Sequence, residues 1–84
     1  MSAIAAARTD LSYRAAVEEH DIIVSQVKAM EFPDASLGCP EPHSTYEQRP
    51  TPGYLIVLNA VSREYEYRAD VAGHVVYCGK RRQG

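Results

Sequence analysis

The chain has 84 residues, which is enough for one domain with a thin core and too few for two domains. Hydrophobic residues make up 45% and charged residues 24%, as in ordinary folded domains. The net charge is −2, and outside the basic run Lys80–Arg82 six basic residues stand against eleven acidic ones, so a nucleic-acid-binding surface is not expected.

Membrane insertion and export are not expected from the sequence as written. No apolar run approaches the roughly 20 residues that a membrane-spanning helix requires. The N-terminus lacks the basic start and the apolar stretch of a signal peptide, which predicts a cytoplasmic protein. The alternative is an exported domain whose signal has been removed.

The first part of the chain predicts a helix followed by a strand. Residues 3–19 are rich in alanine and place apolar residues at three- and four-residue spacing, as in a helix with one apolar side. Residues 22–30 are rich in β-branched residues and predict a strand, although the alternation is imperfect. One predicted face carries Ile22, Val24, Gln26, Lys28 and Met30, and the other carries Ile23, Ser25, Val27 and Ala29.

The central segment, residues 32–53, is the least regular part of the sequence. It contains all five prolines and two of the five glycines, so neither helix nor strand is expected there. Loops of this length are usually functional or disordered. Because the segment also carries apolar residues that can be buried, and because its prolines stiffen the chain, we expect an ordered loop that crosses the body of the domain.

The last part of the chain predicts an antiparallel meander of three strands, at residues 54–60, 64–70 and 74–78. The first of these is apolar on both faces and is therefore expected in the middle of the sheet. In the second, Tyr65 and Tyr67 share one face. That face belongs to the core if it meets the helix, and forms a surface for a partner if it points away.

These elements predict a single α+β domain that spans residues 1–84. One N-terminal helix packs on a four-stranded, mainly antiparallel sheet, and a long Pro-rich loop joins the first two strands. Residues 79–84 are expected to form a flexible tail because they combine glycine with several charges at the chain end.

Several short motifs occur in the order Ser36–Pro42 (SLGCPEP), Thr51–Tyr54 (TPGY), Tyr65 with Tyr67, and Cys78. This pattern resembles a family of small bacterial domains without an assigned function, and the likeness covers most of the chain. The resemblance implies the same α+β fold and no particular activity. Members of that family commonly look exported or lipid-anchored.

The two cysteines, Cys39 in the loop and Cys78 at the end of the last strand, predict a disulfide. Such a bridge would close a loop of about 40 residues and stabilise the fold by roughly 3 to 4 kcal/mol. The alternative is a pair of buried thiols that pack as small hydrophobic groups.

Zinc binding by these cysteines together with His43 and His74 is not expected. Residues 74 and 78 lie some ~13 Å apart along a strand, which is too far for both side chains to reach one tetrahedral ion. No metal and no cofactor are therefore assigned.

The favoured function is a non-enzymatic binding module for a protein or a small molecule of unknown identity, because a stiffened loop loses little entropy on binding. The residues expected to contact the partner are Leu37, Cys39, Pro40, Glu41, His43 and Tyr46. Two alternatives remain. One is a thiol-dependent enzyme or redox protein that uses Cys39, although no spacing selects a base for it. The other is a structural domain that forms a homodimer through a free edge strand.

Overall fold

The computed structural model describes residues 2–80. The helix, a single 3₁₀ turn and the four strands follow one another as α1 (Ser2–Ala15), the turn (Glu19–Asp21), β1 (Ile23–Phe32), β2 (Thr51–Ala60), β3 (Arg63–Asp70) and β4 (Val75–Lys80). The strands lie in sequence order in one sheet, and each neighbouring pair is antiparallel. The predicted α+β class, with one helix on a four-stranded antiparallel sheet, is confirmed, and β2 lies inside the sheet as expected.

The main core lies between α1 and one face of the sheet, here called the helix face. Ala3, Ala7 and Leu11 recur every fourth residue and are buried, so a narrow stripe of the helix meets the sheet. The sheet contributes Ile56, Leu58, Ala60, Tyr67 and Ala69 to the same cluster. Tyr67 is only 1% exposed and the neighbouring Tyr65 packs against the cluster, so the tyrosine pair faces the helix and belongs to the core.

The helix ends at Ala15, and the predicted end near residue 19 is wrong. Ala16 adopts a left-handed backbone with φ of 55°, and the Val17 N–H donates to the Ser12 carbonyl at 3.1 Å. This is the Schellman arrangement that terminates helices. The Ser12 hydroxyl also donates to the Val17 carbonyl at 2.6 Å, which holds the chain reversal in place.

The strand β1 contains a bulge that the alternation did not predict. Its register against β2 shifts between Val24 and Gln26. An extra residue reverses the alternation, so Val27 and Ala29 share the helix face with Val24, contrary to the predicted assignment. β1 is an edge strand, and Val27 stays 43% exposed because α1 lies nearer the other edge of the sheet.

Two tight turns join the last three strands. Val61 and Ser62 connect β2 to β3, both with positive φ (52° and 62°), as in a type I′ hairpin. Gly73, with φ of 98°, lies in the turn between β3 and β4. Gly79 and Lys80, which were predicted to belong to the tail, are part of β4, and residues 81–84 lie outside the described residues.

Residues 33–50, here called the proline loop, connect β1 to β2 without helix or strand. The loop is shorter than the predicted 32–53 because Phe32 completes β1 and Thr51–Gly53 begin β2. Pro52 can belong to a paired strand because a proline still offers its carbonyl, which here accepts a hydrogen bond from the Val71 N–H at 3.3 Å.

Candidate functional site

The first half of the proline loop is held on the sheet face opposite the helix. Phe32 and Leu37 are 3% and 2% exposed, although neither belongs to the main core cluster. The Arg68 guanidinium on β3 donates to the Leu37 carbonyl at 2.9 Å and lies 5.7 Å from the centre of the Phe32 ring. A side chain at Gly38 would overlap that guanidinium, and Gly38 has φ of 77°, so both space and backbone favour glycine there.

Local hydrogen bonds fix the shape of this first half. The Asp34 carboxylate accepts from the backbone N–H of Ser36 at 2.9 Å and also from the Ser36 hydroxyl. These two bonds lower the pKa of Asp34 below its usual value. The Ala35 N–H donates to the Glu47 carbonyl at 3.1 Å, which ties the beginning of the loop to its end.

A disulfide attaches the middle of the loop to the edge of the sheet. Cys39 and Cys78 are bonded, with their Cα atoms 5.7 Å apart and a sequence separation of 39. Cys78 lies on β4, so the bridge links the loop to the strand farthest from β1, where the loop begins. The proline loop is thereby fixed across the whole width of the sheet.

Residues 40–46, here called the loop tip, follow directly after this bridge. The tip is closed by the Tyr46 hydroxyl, which accepts from the Glu41 N–H at 2.9 Å, and by the Ser44 N–H, which donates to the Glu41 carbonyl at 3.3 Å. Tyr46 is half-buried, whereas Pro40, Glu41 and the residues up to Thr45 are exposed. The tip therefore combines a closed backbone with side chains that point to solvent.

An open cavity of about 470 Å³ lies beside the tip, along the outer edge of β4. We call it the β4 groove. One wall is the outer side of α1, with Ala6, Asp10 and Arg14, and Glu41 of the loop tip contributes to the lining as well. The strand itself contributes Val75, Val76 and Tyr77.

The helix wall of the groove is a bonded network of three charged or polar groups. The Asp10 carboxylate accepts from the Tyr67 hydroxyl at 2.6 Å and from the Arg14 guanidinium at 2.6 Å. The guanidinium also lies 4.0 Å from the centre of the Tyr77 ring. These contacts fix both charges of the wall in position.

The pKa values in this network follow from its contacts. Burial by itself raises the pKa of Asp10, but the hydrogen bonds from Tyr67 and Arg14, together with the Arg14 charge, outweigh it and leave that pKa below its usual value. Burial, helped by the bond to Asp10, raises the pKa of Tyr67. Asp10 is thus a carboxylate and Tyr67 a neutral hydroxyl donor at neutral pH.

The turn between β3 and β4 closes one end of the groove. The Asp70 carboxylate accepts from the backbone N–H groups of Ala72 and His74 at 2.9 Å each, and its second oxygen lies 2.9 Å from the His74 ring nitrogen Nδ1. Burial by itself would raise the pKa of Asp70. The hydrogen bonds from His74, the charge of His74 and the hydrogen bond from Ala72 together outweigh burial, so the pKa of Asp70 lies below its usual value.

Comparison with known proteins gives a family but no function. Residues 4–78 match the family model described as Domain of unknown function (DUF8738). The chain belongs to this family. The predicted membership of a family without an assigned function is thus confirmed. Neither the curated proteins nor the solved structures gave a match.

Family membership assigns no chemistry to this DUF8738 domain, so its function has to be argued from the site. Between residues 2 and 80, no group of three or more histidine, cysteine or acidic side chains is arranged to hold a metal ion. No helix in the same range is long and apolar enough to cross a membrane.

The residues predicted to contact a partner differ in accessibility in this DUF8738 domain. Leu37 is buried and Cys39 is half-buried in its disulfide, so both serve to anchor the loop. Pro40, Glu41 and His43 are exposed on the tip. The β4 groove was not predicted from the sequence. One part of the groove could have been predicted, because Asp10 and Arg14 are four residues apart on one side of the predicted helix and can therefore form an ion pair.

Proposed function

We propose that this DUF8738 domain is a non-enzymatic interaction module and that the loop tip is its contact surface. The observation that carries the proposal is the combination of a fixed backbone with exposed side chains. The tip is attached through Cys39 at one end and closed by Tyr46 at the other, while Pro40, Glu41 and His43 face solvent. A surface that is ordered before binding loses little conformational entropy when a partner docks.

The thiol-dependent alternative is less well supported than the binding function. A nucleophilic or redox cysteine of that kind acts as a thiolate. Cys39 is bonded to Cys78, and residues 2–80 contain no other cysteine. We propose on the same ground that the domain works in an oxidising compartment, where a structural disulfide persists.

A homodimer is a second candidate because β1 is an edge strand with two exposed apolar side chains. Ile23 is 63% and Val27 is 43% exposed on that strand. Light scattering after size exclusion tests this directly. A dimer that dissociates in an Ile23→Lys variant supports it, and a monomer at a protein concentration of about 100 μM refutes it.

Selection of peptides from a phage-displayed random library on the immobilised, oxidised domain tests the binding function. The tip variant carries Pro42→Ala and His43→Asn, because asparagine tolerates the positive φ of 67° at position 43. The control variant carries the same two substitutions at exposed positions outside the tip, Pro33→Ala and His20→Asn.

The selected peptides are expected to bind the control like the wild-type domain and to bind the tip variant at least about tenfold more weakly. Two results contradict the proposal. One is a selection that enriches no peptide over the bare support. The other is a set of peptides whose affinity for the tip variant equals that for the control.

A further inference from the structure

The outer edge of β4 carries backbone groups that have no partner among residues 2–80. The Asp70 N–H donates to the His74 carbonyl at 3.0 Å, so residues 70 and 74 direct these two groups toward each other, as the facing pairs of an antiparallel ladder do. Because such pairs alternate, Val76 directs its N–H and C=O toward β3, whereas Val75 and Tyr77 direct theirs outward. β4 is the last strand of the sheet, and residues 2–80 supply no hydrogen bond to these outward groups.

These outward groups open into the β4 groove. Val75 and Tyr77 line it from the strand, Ala6 and Asp10 line it from α1, and Glu41 lines it from the loop tip. An unpaired strand edge beside a helix is the setting in which an extended segment of another protein is added as a further strand. Among residues 2–80 the outer edge of β1 also pairs with no strand, but α1 packs mainly on β4 and not on β1.

The charges of the groove select the kind of segment that fits. Asp10 is already paired with Arg14, and His74, which also lines the groove, is paired with Asp70, so these two pairs add little net charge. Glu41 is exposed, and its carboxylate has no ion pair among the described residues. Glu41 is thus the charged group without an ion pair among the described residues that line the groove, and a positively charged side chain complements it there.

We propose that the β4 groove receives an extended, basic segment of a partner protein, which pairs with β4 as a fifth strand and places a lysine or arginine against Glu41. This inference rests on the proposed function, because Glu41 belongs to the loop tip. Beyond the proposed function, the inference specifies how the partner binds, by backbone pairing at Val75 and Tyr77, and that the bound segment is basic.

The selected peptides provide the probe, and two neighbouring alanines provide a matched pair of variants. Ala5 and Ala6 are both exposed on α1, but only Ala6 lines the groove. The substitution Ala6→Lys places bulk and a positive charge in the groove and is expected to weaken peptide binding at least about tenfold. The substitution Ala5→Lys adds the same side chain to the same helix outside the groove and is expected to leave the affinity unchanged.

A second pair tests the backbone contact and separates the two edges of the sheet. Val75→Pro removes an outward N–H of β4 without removing a bond to β3. Ala29 is the matched position on β1. The Val71 N–H donates to the Pro52 carbonyl, so Pro52 directs its carbonyl toward β3. Because this direction alternates along a strand, Tyr54 also directs its backbone N–H and C=O toward β3. Its partner on β1, Ala29, therefore directs its own N–H and C=O away from β2, toward the outer edge of the sheet. Weaker binding by Val75→Pro with unchanged binding by Ala29→Pro is expected.

Failure of this inference can be told apart from failure of the proposed function. The inference stands if the selected peptides are enriched in lysine or arginine and bind Ala6→Lys and Val75→Pro weakly. If the tip variant loses binding while both groove variants bind like wild type, the inference is overturned and the proposed function stands. If the groove variants lose binding and the tip variant does not, the assignment of the tip as the contact surface is overturned. If only the Ala29→Pro variant loses peptide binding, the partner binds at β1 and the inference is overturned.

Discussion

Reduction of the Cys39–Cys78 disulfide is predicted to remove a large part of the stability of the domain. A bridge between residues 39 positions apart lowers the entropy of the unfolded chain, which amounts to about 4 kcal/mol at 25 °C in the chain-entropy model. A domain of 84 residues has a total unfolding free energy of roughly 4 to 13 kcal/mol. The disulfide therefore accounts for about 30% or more of the total unfolding free energy.

Urea denaturation of the oxidised and the reduced domain, followed by circular dichroism, measures this loss. We expect the unfolding free energy to fall by about 3 to 4 kcal/mol on reduction. A Cys39→Ser/Cys78→Ser variant is the control, since it should resemble the reduced wild type and should not respond to the reductant. A loss below about 1 kcal/mol would refute the reasoning, because the loop would then be held without the bridge.

Reduction should also loosen the loop tip more than the base of the loop. The base keeps the buried Leu37, its hydrogen bond from Arg68 and the bond between Ala35 and Glu47. Amide NMR spectra of the reduced domain should therefore change within the tip (40–46) and near Cys78, and much less at Leu37. Equal changes at Leu37 and in the tip would show that the base has no independent anchor.

Three further predictions concern stability. Val61→Asn/Ser62→Gly supplies the residues that a type I′ turn prefers, so urea denaturation should show a gain of about 1 to 2 kcal/mol, and a loss would contradict the turn assignment. Ala16→Gly relieves the left-handed φ at the helix end and should add about 1 kcal/mol in the same assay, whereas Ala16→Val should destabilise. The pKa of Asp70 is depressed in the folded state, so its stabilisation is present above the unfolded pKa of about 4 and is lost at lower pH. Asp70→Asn should accordingly be less stable than wild type at pH 7, with a difference that shrinks by pH 3, and a constant difference would contradict this.

The fold could be predicted because its main elements have strong local patterns. The alternation from residue 64 to 70 placed Tyr65 and Tyr67 on one face, and the apolar run of β2 placed that strand inside the sheet. Two features, the end of the helix and the bulge in β1, could not be predicted, and the reason is the same for both. The helix ends at an alanine in a left-handed conformation, and the bulge of β1 occurs at Ser25, so neither position carries the glycine that usually marks such features.

The site could be predicted only in part. Composition identified the loop as unusual, but the direction of each side chain depends on which sheet face the loop covers. Because the sequence does not show which face the loop covers, Leu37 was predicted to contact a partner, whereas in the structure its side chain is buried. The β4 groove brings Asp10 together with Glu41 and Val75. Such distant segments come together only through the packing of the helix on β4, which no local pattern encodes.

Hydrogen exchange at individual amides, measured by NMR with and without a selected peptide, tests the central claim most directly. In the free domain, the outward amides of Val75 and Tyr77 should exchange quickly and that of Val76 slowly. With the peptide bound, the account predicts that exchange at Val75 and Tyr77 slows at least about tenfold while Ala29 on β1 remains fast. Unchanged exchange at Val75 and Tyr77 in the complex, or protection at Ala29 instead, would contradict it.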